Sequence, residues 1–471
     1  MKIVIIGAGI GGCAAYLSLK KRLPKPPFPD EDHEYTVYEA HDTSTNMKSH
    51  RDQGETHSAT LLVGGGLGVG PNGLKILERL DEELFHDIVR AGYPYGTMKF
   101  MNSYGYTLMR MSTRGADPAI NSVSMSRQAI WECLRSRVPD EILVKKRVVE
   151  VVASADGRNI IKLADGSVDV EADLVIGADG LKSRTKRALF PESNEDPFPP
   201  HYDGLVGIGG FFPAADLGPD VEAGAMTIVF GANGFFGYAP SETSPTAPNR
   251  HIPQGILPPG DSVMWWSTYG IDECPDANTI DKEAVRRELQ KRYSSWRDPV
   301  IQKIISNVQV ETMWPVWTTP ELPTWERDGV VLVGDAAHTL PPTSGQGSSQ
   351  ALEDVESFSM LLSYYLQQGY GSDSGRLGGP GQIRMEKDII KRAAKTYMDI
   401  RQPRVTDLLK KAKRMESKKR DLNIVEEWMM YLVFFIIGHI PLPSWLKNPY
   451  GYNIADEVKK VIDAEKQQPA K

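Results

Sequence analysis

The chain opens with a short apolar run, Ile3-Val4-Ile5-Ile6, that passes directly into Gly7-Ala8-Gly9-Ile10-Gly11-Gly12. An uncharged run of this length, rich in β-branched residues, reads as a strand buried in a parallel sheet. Gly7, Gly9 and Gly12 stand at the G-x-G-x-x-G spacing, and Cys13 to Lys21 reads as a helix with small residues turned to the sheet. The spacing suits a phosphate. Gly7 allows the tight turn, Gly9 lets backbone approach a pyrophosphate, and Gly12 lets helix and strand pack closely. The helix N-terminus supplies N–H groups and positive potential.

A second strand, Tyr35-Thr36-Val37-Tyr38, ends at Glu39. A carboxylate there can accept hydrogen bonds from both ribose hydroxyls of an adenosine. The separation from Gly12 is longer than usual, and Pro24-Lys25-Pro26-Pro27-Phe28-Pro29 reads as an extra surface loop that accounts for it. Alone, these features fit FAD, NAD or a packed turn without ligand.

Two later segments repeat the pattern of an apolar strand ended by Gly and Asp. Val330-Val331-Leu332-Val333 runs into Gly334-Asp335-Ala336-Ala337-His338, then Pro341-Pro342 and Gly345-Gln346-Gly347. An aspartate at a strand's carboxyl end sits where open α/β sheets bind ligands. Ser348 to Leu366 reads as the next helix, with its first N–H groups toward an electron-rich ring edge. Between them lies Ala172-Asp173-Leu174-Val175-Ile176-Gly177-Ala178-Asp179-Gly180, followed by Ser183-Arg184; Asp-Gly is equally an ordinary turn. Gly12 and Gly334 are 322 positions apart, yet both clusters make sense as contacts to one long dinucleotide. That pairing favours a flavin enzyme over a nicotinamide dehydrogenase.

At 471 residues the chain is too long for one ordinary core, and two or three packed units are expected. Apolar content of 41% and charged content of 24% are those of a soluble globular protein. The net charge of -7 argues against a nucleic-acid partner. Cys13, Cys133 and Cys274 lie far apart, with no metal-ligand spacing and no disulfide framework, so a reducing, cytoplasmic compartment is expected. The apolar run at residue 3 leads straight into a glycine turn and so does not read as a signal peptide. No apolar stretch reaches the roughly 20 residues that span a bilayer.

Taken in order, the glycine segment at 7–12, the Asp179-Gly180 segment and the stretch from Gly334 to Asp354 resemble the group A flavin-dependent monooxygenases. That class includes para-hydroxybenzoate hydroxylase and salicylate hydroxylase, and the chain looks most like its fungal secondary-metabolite members. The resemblance covers roughly residues 1–410. It implies an α/β fold: a Rossmann-type FAD-binding domain (1–85, 122–198 and 326–375), an inserted, mostly antiparallel β substrate domain (86–121 and 199–325) and a helical C-terminal region (376–471). The implied cofactors are FAD and NAD(P)H, and no metal is expected. No second G-x-G-x-x-G segment exists for the nicotinamide, and the family does without one. The implied reaction is reduction of bound FAD by NAD(P)H, reaction of the reduced flavin with oxygen, and transfer of one oxygen atom to substrate. Hydroxylation, epoxidation and Baeyer–Villiger insertion stay open.

The resemblance also assigns roles. Gly7, Gly9 and Gly12 hold the pyrophosphate, Glu39 the adenosine ribose, and Asp335 the ribityl chain. Gly345, Gly347 and Ser348 lie along the isoalloxazine ring, with Pro342 near the reacting face. In Gly64-Gly65-Gly66-Leu67, Gly66 is a neighbour of FAD. Arg127, at the start of Arg127-Gln128-Ala129-Ile130, reaches the cofactor, and Asp179 serves both FAD and NAD(P)H. Some relatives pair a catalytic arginine with a tyrosine. Tyr238 matches the tyrosine, but the arginine's position falls at Gly209, which puts that pair in doubt.

Residues 200–325 are richer in Pro, Gly and aromatics, with alternating apolar runs such as Met226 to Phe230 and Val263 to Tyr269. That reads as antiparallel sheet. Phe235, Phe236, Tyr238, Trp265, Trp266, Trp314 and Trp317 are pocket candidates, each also readable as core, and as a set they point to a bulky apolar or aromatic substrate. Val405, Leu408, Leu409, Ala412 and Met415 recur at helical spacing between Lys410, Lys411, Lys413 and Arg414, and Trp428 to Ile437 is uncharged and followed by Pro441 and Pro443. Two readings stand for 405–442: peripheral membrane contact, or a segment packed on the protein itself. The oligomeric expectation is a monomer or homodimer. Rival functions are a flavin oxidase or dehydrogenase, and a non-catalytic protein on the flavoprotein scaffold.

Overall fold

The structure is a computed structural model. It describes residues 1–27, 32–43, 65–114, 120–276, 280–310, 313–371, 379–416, 421–440 and 451–467. Phe28, Pro29, Gly64, Pro441, Pro443 and the side chain of Met415 lie outside the described residues.

The opening strand, Lys2–Ile6, is central in a six-stranded sheet ordered Glu326–Arg327, Val330–Leu332, Leu174–Gly177, Lys2–Ile6, Glu34–Glu39, Leu143–Lys145. All pairings are parallel except the two-residue edge strand at 326–327. Ile3, Val4, Ile5 and Ile6 are all buried, as expected for a parallel strand covered on both faces. The helix Ile10–Arg22 packs against the long helix Gly347–Tyr370 and is bonded to it through Ser18 Oγ and Ser359 Oγ at 2.7 Å. The close fit begins at the glycines. Gly7 has φ +101°, and a Cβ there would lie 2.4 Å from the Ala178 carbonyl oxygen; a Cβ on Gly12 would lie 1.8 Å from the Gly7 carbonyl oxygen.

The second large sheet has seven strands, ordered Met313–Thr318, His201–Pro213, Ser262–Gly270, Gly234–Pro240, Ala225–Gly231, Thr97–Asn102, Thr107–Ser112. Its pairings are antiparallel except that between 97–102 and 225–231. Strand alternation gives it two distinct faces. One face, carrying Val229, Phe236, Tyr238 and Trp265, packs under the helices Lys282–Tyr293 and Pro299–Asn307. The other carries Phe230, Phe235, Met264 and Trp266. It meets the helix Ile424–His439 at one end and a small sheet of Gly66–Val69, Ser122–Ser126 and Tyr93–Tyr95 at the other.

The C-terminal part is helical: Gly379–Glu416, Ile424–His439 and Ile454–Gln467. In the first, Val405 and Ala412 are buried, and Leu408 and Leu409 pack against the core beneath the first sheet. This stripe of 405–412 is therefore covered by the protein itself.

The two glycine geometries make a separable prediction. Gly12→Ala should destabilise the protein by about 1–3 kcal/mol, because its Cβ has nowhere to go. Gly9→Ala, whose Cβ meets nothing within 4 Å, should leave the urea midpoint of the cofactor-free protein unchanged and lower only the FAD retained on purification. Equal destabilisation by both substitutions would contradict this account of the turn.

Candidate cofactor and substrate site

Register brings three loops together. Ile6 stands beside Gly177, and Gly177 beside Leu332. The chain therefore leaves the sheet at Gly7, Ala178 and Val333 on one carboxyl edge, where open α/β sheets bind ligands. The Ala8 peptide is held on both sides. Its N–H donates to Glu39 Oε2 at 2.8 Å, and its carbonyl accepts from Trp131 Nε1 at 2.8 Å and Cys13 Sγ at 3.3 Å. Glu39 Oε1 accepts from the His41 N–H at 3.0 Å. Each carboxylate oxygen retains capacity for a further donor, such as a ribose hydroxyl.

The distal loop reaches the same place. Gly334, at φ +60°, would put a Cβ 3.0 Å from that of Ala351, and Gly11 would put one 3.7 Å from the same atom. The first glycine cluster, the Gly334 turn and the start of the 347–370 helix are thus contiguous. Asn72, in the first turn of the helix Pro71–Leu80, joins them by donating Nδ2 to Gln346 Oε1 at 3.1 Å.

Three helices start here, at 10–22, 71–80 and 347–370, and none has a side-chain cap. The helices at 82–91, 127–135, 282–293, 299–307 and 424–439 are all capped, by Asp81, Ser126, Asp281, Asp298 and Asn423. Bare N-termini expose unsatisfied N–H groups and positive potential. Space is left beside them, because a Cβ on Gly9, Gly345 or Gly347 would meet nothing within 4 Å. Arg127 starts the 127–135 helix, and its buried Nε has no hydrogen-bond partner. Burial lifts the Asp335 carboxyl above the ordinary range, against the opposing charge of Arg127. Open backbone, bare N–H groups, an orphaned guanidinium nitrogen and carboxylates at Glu39 and Asp335 fit a long dinucleotide with hydroxyl-bearing sugar and ribityl parts.

Behind this edge lies a buried ionic cluster that sequence reasoning did not find. Arg401 is fully buried. Its Nε donates to Asp354 Oδ1 at 2.8 Å, its Nη2 to Gln350 Oε1 at 2.6 Å, and its Nη1 to Glu353 Oε2. Arg404 Nε and Nη2 donate to the two oxygens of Glu353 at 2.7 and 2.8 Å, and Asn72 Nδ2 reaches Glu353 Oε1 at 2.7 Å. Asp354 Oδ2 accepts from the Gly334 N–H at 2.8 Å and pairs with His338 Nε2 at 2.6 Å. Burial acts to raise both carboxyls, but the charges around them outweigh it. His338 and Arg401 hold Asp354 below the ordinary carboxylate range, and Arg401 and Arg404 do the same for Glu353. The sequence showed Glu353 and Asp354 inside the distal stretch. Nothing in it marked Arg401, one basic residue among many, as their partner.

Several expected site residues are placed differently. Tyr238 is a correction: it lies on the helix-covered face and donates its hydroxyl to Asp298 Oδ2 at 3.0 Å, so it is a core residue. Its supposed arginine partner has no room, because a Cβ at Gly209 would lie 2.7 Å from the Trp265 carbonyl oxygen. Phe236 and Trp265 share the face of Tyr238, and Trp317 tilts onto Tyr202 at 5.7 Å. Phe235, Trp266 and Trp314 lie on the opposite face, where Trp266 covers Gly237 and Trp314 neighbours Gly65 and Gly207. Gly66 packs against Met264 of that face. The Asp179 carboxylate is held by its own loop, Oδ1 accepting from Ser183 Oγ and Oδ2 from the N–H groups of Arg184 and Thr185 and from Thr185 Oγ1, at 2.6–3.1 Å. Pro342 is exposed in a short turn ahead of Gly345.

Residues 218–375 match the family model described as FAD binding domain. The chain is 25% identical over 359 residues to 6-hydroxynicotinate 3-monooxygenase of Pseudomonas fluorescens, covering 75% of this chain and 80% of that protein. It is 24% identical over 368 residues to salicylate hydroxylase of Pseudomonas putida, covering 77% and 76%. Among solved structures, Klebsiella pneumoniae HpxO complexed with FAD and uric acid has the same fold, with a TM-score of 0.66 at 21% identity over 100% of this chain and 97% of that one.

Removing one member of the ionic cluster should be costly. Arg401→Met is expected to destabilise by about 3–5 kcal/mol, because it strands buried carboxylates. Glu353 and Asp354 are depressed in the folded state. Their contribution is therefore present above the ordinary carboxylate value of about 4 and lost as pH falls below it. Urea midpoints measured across that range should fall in the wild type and flatten in Arg401→Met; parallel curves would remove the cluster from the stability account.

Proposed function

We propose that the chain is an FAD-dependent monooxygenase, like the relatives it matches, and that it uses NAD(P)H and oxygen to place one oxygen atom in a bulky apolar or aromatic small molecule, by hydroxylation or epoxidation, in secondary metabolism. The observation that carries the substrate class is the uncharged wall opposite the cofactor edge. Trp266 and Trp314 are half-buried, broad and apolar, the buried Phe235 and Met264 back them on the same face, and Gly207, Gly209 and Gly237 keep the strands between them free of side chains. Such a wall holds a flat or bulky apolar molecule by area and excludes water.

In this reading the bare N-terminus at Gly9, with Gly7 and Gly12, holds the pyrophosphate, and Glu39 the adenosine ribose. Asp335 takes the ribityl hydroxyls, and Arg127 directs its unpartnered Nε to the cofactor. Gly345, Gly347 and Ser348 give the ring a backbone floor, with Pro342 at its mouth. Asp179 contributes by shaping the turn beside Gly7. The redox and oxygen chemistry is supplied by FAD when bound. The side chains of this chain hold, orient and keep the site dry. The proposal includes a cytoplasmic monomer or homodimer; of the stretch 405–442, the stripe at 405–412 is covered by the protein itself, which leaves the helix at 424–439 for a peripheral contact with a membrane surface.

Two measurements test the assignment. Oxygen consumption should match NADPH loss and product oxygenation one to one; consumption yielding only hydrogen peroxide with every apolar aromatic candidate would favour an oxidase. Asp335→Asn removes a buried charge whose carboxyl is lifted by burial. It should raise the thermal midpoint of the cofactor-free protein at neutral pH and weaken FAD retention. Full retention of FAD would take Asp335 out of the site.

A further inference from the structure

The helix Ile424–His439 is divided lengthwise. Glu427, Met430, Tyr431 and Phe434 are buried, and they pack on Phe100, Phe230 and Phe235 of the large sheet. Gly438 permits the closest approach, since a Cβ there would lie 2.9 Å from the Leu108 carbonyl oxygen. Apart from Glu426 in the first turn and His439 at the end, the outward side is apolar. Val425 is 67% exposed, Trp428 54%, Met429 54%, Leu432 50%, Val433 48%, Phe435 48% and Ile436 42%. The helix's two acids do not break this face. Glu426 closes a capping box with Asn423, and Glu427 is turned inward to the Ala232 N–H at 3.1 Å and the Tyr431 hydroxyl at 2.5 Å.

A continuous apolar face of this kind on a soluble protein marks an interaction surface. Charge decides the partner. The preceding helix ends with Lys410, Lys411, Lys413 and Arg414, all exposed, and the sequence continues Lys418-Lys419-Arg420 before the apolar helix. The chain as a whole carries -7, so this basic stretch is a local bias rather than a general one. Two copies meeting through the apolar face would bring two such stretches together, whereas anionic headgroups complement them. With 16 residues the helix is about 24 Å long, short of a bilayer's hydrocarbon core of about 30 Å. No helix among the described residues is long and apolar enough to cross a membrane.

We infer that the outward face of 424–439 lies in the headgroup boundary of an anionic bilayer, with the exposed Lys410, Lys411, Lys413 and Arg414 of the preceding helix drawn to the lipid phosphates. This rests on the peripheral contact proposed above and names its element, its orientation and the lipid charge it needs. An interfacial helix of this design binds through buried apolar area plus attraction to anionic lipid.

The test uses the full flavin-loaded chain and phosphatidylcholine vesicles with and without phosphatidylserine. The wild type should sediment with the phosphatidylserine vesicles and be released by high salt. A Leu432→Glu/Val433→Glu variant should stay in solution with unchanged flavin absorbance and NADPH-driven bleaching. Those two signals belong to the monooxygenase reading, so their loss in the wild type would count against that reading and leave the lipid result to stand alone. Brominated acyl chains should quench part of the tryptophan emission, and Trp428→Phe should remove most of that quenching. The inference is overturned if the wild type ignores both vesicle types, if the double variant sediments like the wild type, or if Trp428→Phe is quenched equally. It is also overturned if ultracentrifugation shows a dimer that the double variant abolishes, because the face would then be covered by a second copy.

Discussion

The buried contact of Arg401 with Glu353 and Asp354 is the constraint on which the rest of the site depends. It joins the helix at 347–370 to the one at 379–416. Through Asn72 it takes in the helix at 71–80, and through Asp354 it fixes the Gly334 turn and His338. Burying such charges costs several kcal/mol each, and attraction offsets this only when geometry and additional hydrogen bonds are good. Here nearly every oxygen of both carboxylates has two or more donors. The result is directional: the network fixes where the turn carrying Asp335 sits, which an apolar core of equal volume would do less specifically.

Polar groups around the cofactor edge divide into two kinds. Asp179 accepts four hydrogen bonds from within its own loop, three of them on Oδ2. Arg127 Nε is unpartnered, Asp335 is lifted by burial, and three helices begin without caps. Unmet polar groups are costly when left alone. Their concentration at one sheet edge, beside glycines with open space, suits a ligand with both anionic and hydroxyl groups. The helices at 82–91, 127–135, 282–293, 299–307 and 424–439 meet that cost with a capping side chain.

The large sheet separates support from recognition by alternation alone. Residues two apart share a face, so Tyr238 and Phe236 enter the core with the helices at 282–307, while Phe235 turns the other way. Aromatic content could not make that distinction, because every candidate is large and apolar. The same sheet face extends to the helix at 424–439, so Trp266, Phe235 and the outermost apolar helix belong to one continuous layer.

What was legible in the sequence was local. The first strand, its glycine turn and the following helix, the strand ending at Glu39 and the one ending at Gly334 could be read because strand period, turn chemistry and helix start are set by neighbours in the chain. The antiparallel character of 200–325 was legible for the same reason. The tertiary structure decided what depends on distant partners. It placed Tyr238 against Asp298, consumed Asp179 in its own loop, packed Gly66 under Met264, and paired Arg401 with carboxylates some 48 positions away. Sequence by itself determined the strand, glycine turn and helix that open the chain and the strand that leads into Gly334. Which charges meet, and which face of each strand sees the ligand, was set only by packing, because a side chain's partner is chosen by three-dimensional register and not by its neighbours along the chain.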